Sequence, residues 1–238
     1  MTKFLTTLVA LVAITMTTVN AAPINVVPPA TIGTTSIIDF NALPSGNIAG
    51  TLGQPGATFG ERFAGQTVAT GSGFDVVSGS PTATLTVVAN TTLADNIAIL
   101  TNSGSQLIYG DLGGAVGEGA LAFVFAFDQS QLGFDVVGGD SGSVFASFYR
   151  RNGSLIQTLI LGPVTTNTFA FQRDLGITDI AGVLLTNDDL SGVAYDNLRF
   201  NNFGVTNPIP EPATLAVFGG IVLAGALGYR RRKAAATA

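Results

Sequence analysis

Apolar residues alternate with small or polar ones along most of the middle of the chain. Over residues 121–127, Leu121, Phe123, Phe125 and Phe127 fall on one side of an extended backbone, with small residues on the other. Residues 144–149 and 155–161 are also strand-like, and Arg151, Asn152, Gly153 and Ser154 stand between them. An Asn-Gly pair favours the left-handed backbone of a tight turn, so these runs predict a β-hairpin. Further strands are predicted over 37–40, 85–88, 97–100, 107–109, 168–171, 180–185 and 194–200, separated by Gly, Asn, Asp and Ser clusters. Many short strands at this spacing predict an all-β body, an antiparallel jelly-roll-like β-sandwich. One five-residue string occurs twice, Gly-Phe-Asp-Val-Val at 73–77 and again at 133–137. It predicts two ordinary strands with Phe and Val inward and Asp outward.

The two ends depart from this pattern. Lys3 precedes an apolar and Thr-rich stretch over residues 4–16, and Val19, Asn20 and Ala21 follow. That order predicts a signal peptide over 1–21, cut after Ala21 by signal peptidase. Residues 22–35 carry prolines and no charge, and predict a loose lead-in. At the other end, Pro210, Glu211 and Pro212 precede 17 residues without charge (213–229), closed by Arg230, Arg231, Arg232 and Lys233. A run of this length sits at the short end of what spans a bilayer as a helix. The basic cluster predicts a cytoplasmic end, with the body across the membrane. The predicted organisation is signal peptide 1–21, lead-in 22–35, sandwich body 36–203, linker 204–209, sorting and anchoring segment 210–233, and tail 234–238.

Composition narrows the chemistry. The chain has no Cys, His or Trp. That excludes disulfides, a Ser-His-Asp triad, a thiol nucleophile and a nitrogen–sulfur zinc site. The body has five arginines, no lysine and fourteen acids, a net charge of −9. No basic stripe is present to neutralise phosphates, so nucleic acid is not an expected partner. Paired carboxylates are the remaining route to catalysis, as in glycoside hydrolysis. Most of the acids stand beside Gly, Asn, Ser or strand ends, where acids serve turns and solubility. The expectation is therefore a non-catalytic protein.

The ordered tail of Pro210-Glu211-Pro212, short apolar span and Arg-rich end resembles the PEP-CTERM sorting signal of Gram-negative, biofilm-forming bacteria. The resemblance implies recognition of Pro210, Glu211 and Pro212 by an exosortase, a membrane-embedded transpeptidase-like enzyme. It implies an inner-membrane hold before processing, then release to the cell surface or extracellular matrix, with exopolysaccharide as an associated partner. The body resembles ectodomains of the same family more loosely, through Ile38-Asp39-Phe40, the stretch 123–153, and the terminal run from Gly192 through Asp196, Asn197 and Leu198 to Phe200.

One candidate ion site remains. Calcium takes carboxylate and carbonyl oxygens. Asp39 lies on an early predicted strand, and Asp196 and Asn197 lie on the last, which jelly rolls often place side by side. Asn187, Asp188 and Asp189 form a second oxygen-rich loop. The competing expectation is that Asp196 and Asn197 bond a neighbouring backbone and that 187–189 is a solvated turn. No cofactor beyond calcium is expected. The alternative function is a calcium-dependent carbohydrate-binding module carrying the same sorting signal. Tyr109, Tyr149 and Tyr195 are the aromatics that a sheet face would offer a glycan, and half-buried structural roles are the commoner use of such residues.

Overall fold

The structure, a computed structural model, describes residues 22–33 and 36–201. The predicted signal peptide, the motif Pro210-Glu211-Pro212, the apolar span and the basic cluster Arg230 to Lys233 lie outside the described residues. In chain order the strands are β1 (Ile24–Val26), β2 (Ser36–Ile38), β3 (Gly46–Asn47), β4 (Leu52–Gln54), β5 (Ala57–Gly60), β6 (Arg62–Phe63), β7 (Thr67–Gly71), β8 (Phe74–Ser78), β9 (Val87–Val88) and β10 (Ile97–Asn102). They continue with β11 (Ser105–Leu112), β12 (Ala115–Gly119), β13 (Leu121–Gln129), β14 (Gln131–Gly138), β15 (Val144–Tyr149), β16 (Leu155–Leu161), β17 (Asn167–Arg173), β18 (Ile180–Asn187) and β19 (Val193–Phe200). Among the described residues, helix is confined to three short 3-10 turns, and no helix is long and apolar enough to cross a membrane.

All pairing is antiparallel, as the alternating pattern predicted. One sheet of nine strands runs β1-β17-β14-β19-β11-β10-β3, with β12 on β11 and β2 on β19. A second, six-stranded sheet runs β16-β15-β18-β13-β5-β4. One core joins the inner faces of both. It takes Leu132, Phe134, Phe171, Leu198 and Phe200 from the first sheet and Phe59, Phe123, Phe125, Phe148 and Val183 from the second. Rings meet across the gap. Phe125 lies 5.3 Å from Phe200, and Phe148 lies 5.1 Å from Phe171 between centroids. Tilted and edge-on contacts of this kind favour the ring quadrupoles as well as burying area. The arrangement is a two-layer, sandwich-like all-β body.

The predicted hairpin forms. β15 and β16 pair, Arg150 N–H donates to Ser154 O and Gly153 N–H to Arg150 O, both at 2.9 Å. Gly153 sits at φ 80°, where a side chain is disfavoured. One inward assignment fails. Leu121, Phe123 and Phe125 enter the core, but Phe127 is 39 % exposed. The pairing of β13 with β18 shifts register between Val124 and Gln129, and that irregularity takes Phe127 out of the alternation. Residues 24–26, within the expected lead-in, pair with β17, and Ile24 is buried.

The six-stranded sheet is covered on its outer face too. Two ribbons, β6–β9 and β7–β8, accompany a second apolar cluster of Phe63, Leu85, Ala120, Ala122, Tyr149, Ala181 and Leu184. β13 thus sends Phe123 to one core and Ala122 to the other. Small residues on β13 and β18 let the covering side chains come close. A Cβ on Gly182 would stand 2.7 Å from Phe123 O, 2.8 Å from Leu85 Cδ2 and 3.1 Å from Phe63 Cζ. Gly182→Ala is expected to lower stability by about 1–3 kcal/mol through overpacking. A denaturant midpoint equal to that of the unaltered chain would contradict this.

Candidate functional site

A cavity opens between the β7–β8 hairpin and the outer face of β15 and β18. It encloses about 410 Å³ and is lined in part by Gln66, Phe74, Asp75, Phe145, Ser147 and Tyr149. Strand alternation explains the sheet side. Val144, Ala146 and Phe148 enter the main core, so Phe145, Ser147 and Tyr149 face the opposite way. Thr186 and Asp188 extend that wall from β18 and the loop after it.

The hairpin side reverses an expectation. In β14, Phe134 and Val136 are buried in the core and Asp135 faces out, as the five-residue string predicted. In β8 the same letters turn over. Asp75 is 7 % exposed, while Val76 is 53 % exposed. β8 belongs to a ribbon that packs its Asp75 and Val77 side toward β12 and β18, so the sheet beneath dictates which side is buried. Asp75 Oδ2 accepts the Ala120 N–H at 2.8 Å, and its Oδ1 has no hydrogen-bond partner among the described residues. Burial pushes its carboxyl up to about 6, with the charges of Glu61 and Asp95 adding to the rise. The Ala120 bond and the Arg62 charge oppose it.

Gln66 is set by its own turn. Its Oε1 accepts Phe63 N–H at 3.0 Å, its carbonyl accepts Arg62 Nε–H at 3.1 Å, and its Nε2 reaches Tyr149 Oη at 3.5 Å. Arg62 in turn pairs with Glu61, whose Oε1 accepts Asn90 Nδ2–H at 2.7 Å. Burial raises the Tyr149 hydroxyl above its ordinary value, against the bonds from Gln66 and Ser147.

The acids singled out for calcium have definite surroundings. β2 pairs with β19, which places Asp39 near the end of β2 close enough for its charge to act on Asp196. Burial holds the Asp196 carboxyl above its ordinary value, and the charges of Asp135 and Asp39 push in the same direction. Its Oδ1 accepts Asn197 N–H at 2.7 Å. Asn197, at φ 50°, turns its amide to Asp135 Oδ2 at 2.7 Å. Asp135 also takes both Arg199 nitrogens, at 2.7 and 3.0 Å, and the Thr168 hydroxyl at 2.8 Å. Burial works against the Asp135 charge, but these bonds outweigh it and hold the carboxyl below its ordinary value. Among the described residues no group of three or more His, Cys, Asp or Glu side chains has the geometry to hold a metal ion.

The loop 187–189 is not a solvated turn throughout. Asp189 is fully buried, and its Oδ2 accepts N–H groups from Asp140, Ser141 and Gly142 at 2.7–3.1 Å, while its Oδ1 accepts Ser191 N–H at 2.9 Å. Asp188 is exposed, with Oδ1 taking Ser143 N–H at 2.6 Å. The Asp189 carboxylate ties two loops together.

No family model matches this chain, and no curated protein matches it. Each of the five body arginines already faces a carboxylate: Arg62 on Glu61, Arg150 and Arg173 on Asp179, Arg151 on Asp128, and Arg199 on Asp135. None lines the cavity. The cavity residues carry no common sequence signal, because they come from four separate strands and three loops. Tyr149, Asn187, Asp188 and the string 73–77 each carry a signal of their own in the sequence, but none that joins them into one site.

Burial opposes the Asp189 charge, but the four backbone donors hold its carboxyl below the ordinary aspartate range. Its contribution to stability is present above the unfolded value near 3.8 and is lost as pH falls through the lower folded value. Asp189→Asn puts an amide donor against backbone donors, and is expected to cost on the order of 3 kcal/mol at neutral pH. The difference from the unaltered chain should narrow in acid. Equal unfolding midpoints at pH 7 would overturn this assignment.

Proposed function

We propose that this chain is an exported, non-catalytic surface or extracellular-matrix protein, sorted by an exosortase acting at Pro210-Glu211-Pro212. The order of three parts at the C-terminus carries the reading: a Pro-Glu-Pro motif, 17 uncharged residues, and Arg230 to Lys233. The N-terminal apolar stretch with Val19, Asn20 and Ala21 supports entry to the export route through signal peptidase. The span serves as a temporary inner-membrane hold, and the processed protein passes to the surface or an exopolysaccharide matrix. The body is a jelly-roll-like ectodomain in this reading. Two of its acids are occupied, buried Asp189 by backbone donors and half-buried Asp135 by Arg199, which supports a non-catalytic role.

Expression of the full chain in matched hosts with and without an exosortase tests the proposal. The intact mass of the released protein should lack the Arg-rich end only where the enzyme is present, and Glu211→Ala should keep the chain in the membrane. A released form that retains Arg230 to Lys233 would overturn it.

A second reading attaches to Asp39, Asp196 and Asn197. Asp39 and Asp196 are brought together by the β2–β19 pairing, and a cation there would relieve their repulsion. With calcium bound, the body becomes a calcium-dependent carbohydrate-binding module with the same address. The unfolding temperature of the full chain should then rise in calcium and fall in chelator. An unchanged midpoint would sink this reading.

A further inference from the structure

The cavity under the β7–β8 hairpin has no part in the sorting signal and does not include Asp39, Asp196 or Asn197. Its volume, about 410 Å³, falls within the range of small-ligand pockets, roughly 300–1,000 Å³. It is lined on two sides by aromatic rings, Phe74 from the hairpin and Phe145 and Tyr149 from the sheet. Between them stand polar groups with capacity to spare. Asp75 uses Oδ2 for the Ala120 N–H, leaving Oδ1 on the cavity side, and the half-buried Thr186 lines the same cavity. Gln66 Nε2 has only a long contact, 3.5 Å, to the Tyr149 hydroxyl. Asp188 engages one oxygen and leaves the other open.

This chemistry disfavours anionic and purely apolar ligands. No Arg or Lys lines the cavity, and Asp75 and Asp188 both do, so phosphate, sulfate and uronate ligands would be repelled. The spare acceptors and the Thr hydroxyl do not suit a purely apolar ligand, because unmatched buried polar groups cost free energy. A ligand with apolar C–H faces and a rim of hydroxyl donors matches both features. Its ring faces pack on Phe and Tyr, and its hydroxyls donate to carboxylate oxygens and accept from the Gln66 amide nitrogen.

We propose that this cavity binds an uncharged sugar unit of a glycan, without a metal ion. Phe145 and Phe74 supply the apolar faces. Asp75, Thr186 and Gln66 accept or donate to the hydroxyls. The proposal rests on the export reading only for where the glycan is met.

The test uses the full chain in a detergent without sugar headgroups, with EDTA present. An array of neutral and uronate-bearing oligosaccharides is followed by calorimetry with the best-bound neutral disaccharide. Neutral sugars should bind, and Phe145→Ala and Thr186→Val should each weaken binding, Phe145→Ala by about tenfold or more, equivalent to about 1.4 kcal/mol. Thr186→Val preserves side-chain shape, so an unchanged unfolding temperature separates lost contacts from lost folding. The proposal falls if no neutral oligosaccharide binds, if either variant binds as the unaltered chain does, or if uronates or spermidine bind better. It also falls if EDTA abolishes binding, which would move the site to the cation reading. Release of reducing sugar would show hydrolysis in place of binding. These outcomes leave export untouched, since the mass of the released protein tests that separately.

Discussion

The fold depends on two sheets gripping each other through aromatic rings. Phe125 against Phe200 and Phe148 against Phe171 join strands far apart in sequence, and Phe134 extends the second contact to Tyr195. The chain has no cysteine, so no disulfide substitutes for this interlock. Truncating a buried Phe typically costs about 3–5 kcal/mol, a large fraction of the stability of an ordinary domain. One polar atom is carried inside that core: the Tyr195 hydroxyl is buried without a partner among the described residues. Burial raises its proton affinity and keeps it neutral.

The second core follows from the first. Because β13 and β18 are anchored on one face by Phe123 and Val183, their other faces are presented at a defined height. Ala122, Ala181 and Gly182 keep that surface low, and Phe63 and Leu85 settle onto it. Beside them, a cavity remains where the β7–β8 hairpin stands off β15. A pocket floor made of sheet and a roof made of hairpin is a rigid way to hold Asp75, Gln66 and Tyr149 in fixed relation.

Acids in this body divide into kinds by environment. Asp189 is charged because backbone N–H groups surround it, and Asp135 because Arg199 grips it. Asp75 has one N–H partner and mostly apolar surroundings, and burial makes it a reluctant anion. Among the described residues every arginine faces a carboxylate, and none lines the cavity. The acidity read from composition thus reflects internal bonding as much as solubility.

Strand character was legible because its signal is local. Alternation over 144–149 and 155–161 with Asn152-Gly153 between them predicts the hairpin without any partner strand. The short strands β3, β4 and β7 and the loop-like β12 carry little alternation, and pairing partners make them strands. Phe127 fails because a register shift is a property of two strands, not of one. The candidate cavity was illegible for the same reason. The facing of Gly-Phe-Asp-Val-Val differs between 73–77 and 133–137 although the letters agree. By itself, then, the sequence determined the class of fold, the acidic and cysteine-free chemistry, and the succession of residue types at both ends. Tertiary structure decided which acids are buried, which face of each strand is covered, and where a cavity opens. Those outcomes depend on contacts between residues tens of positions apart, and no local pattern encodes them.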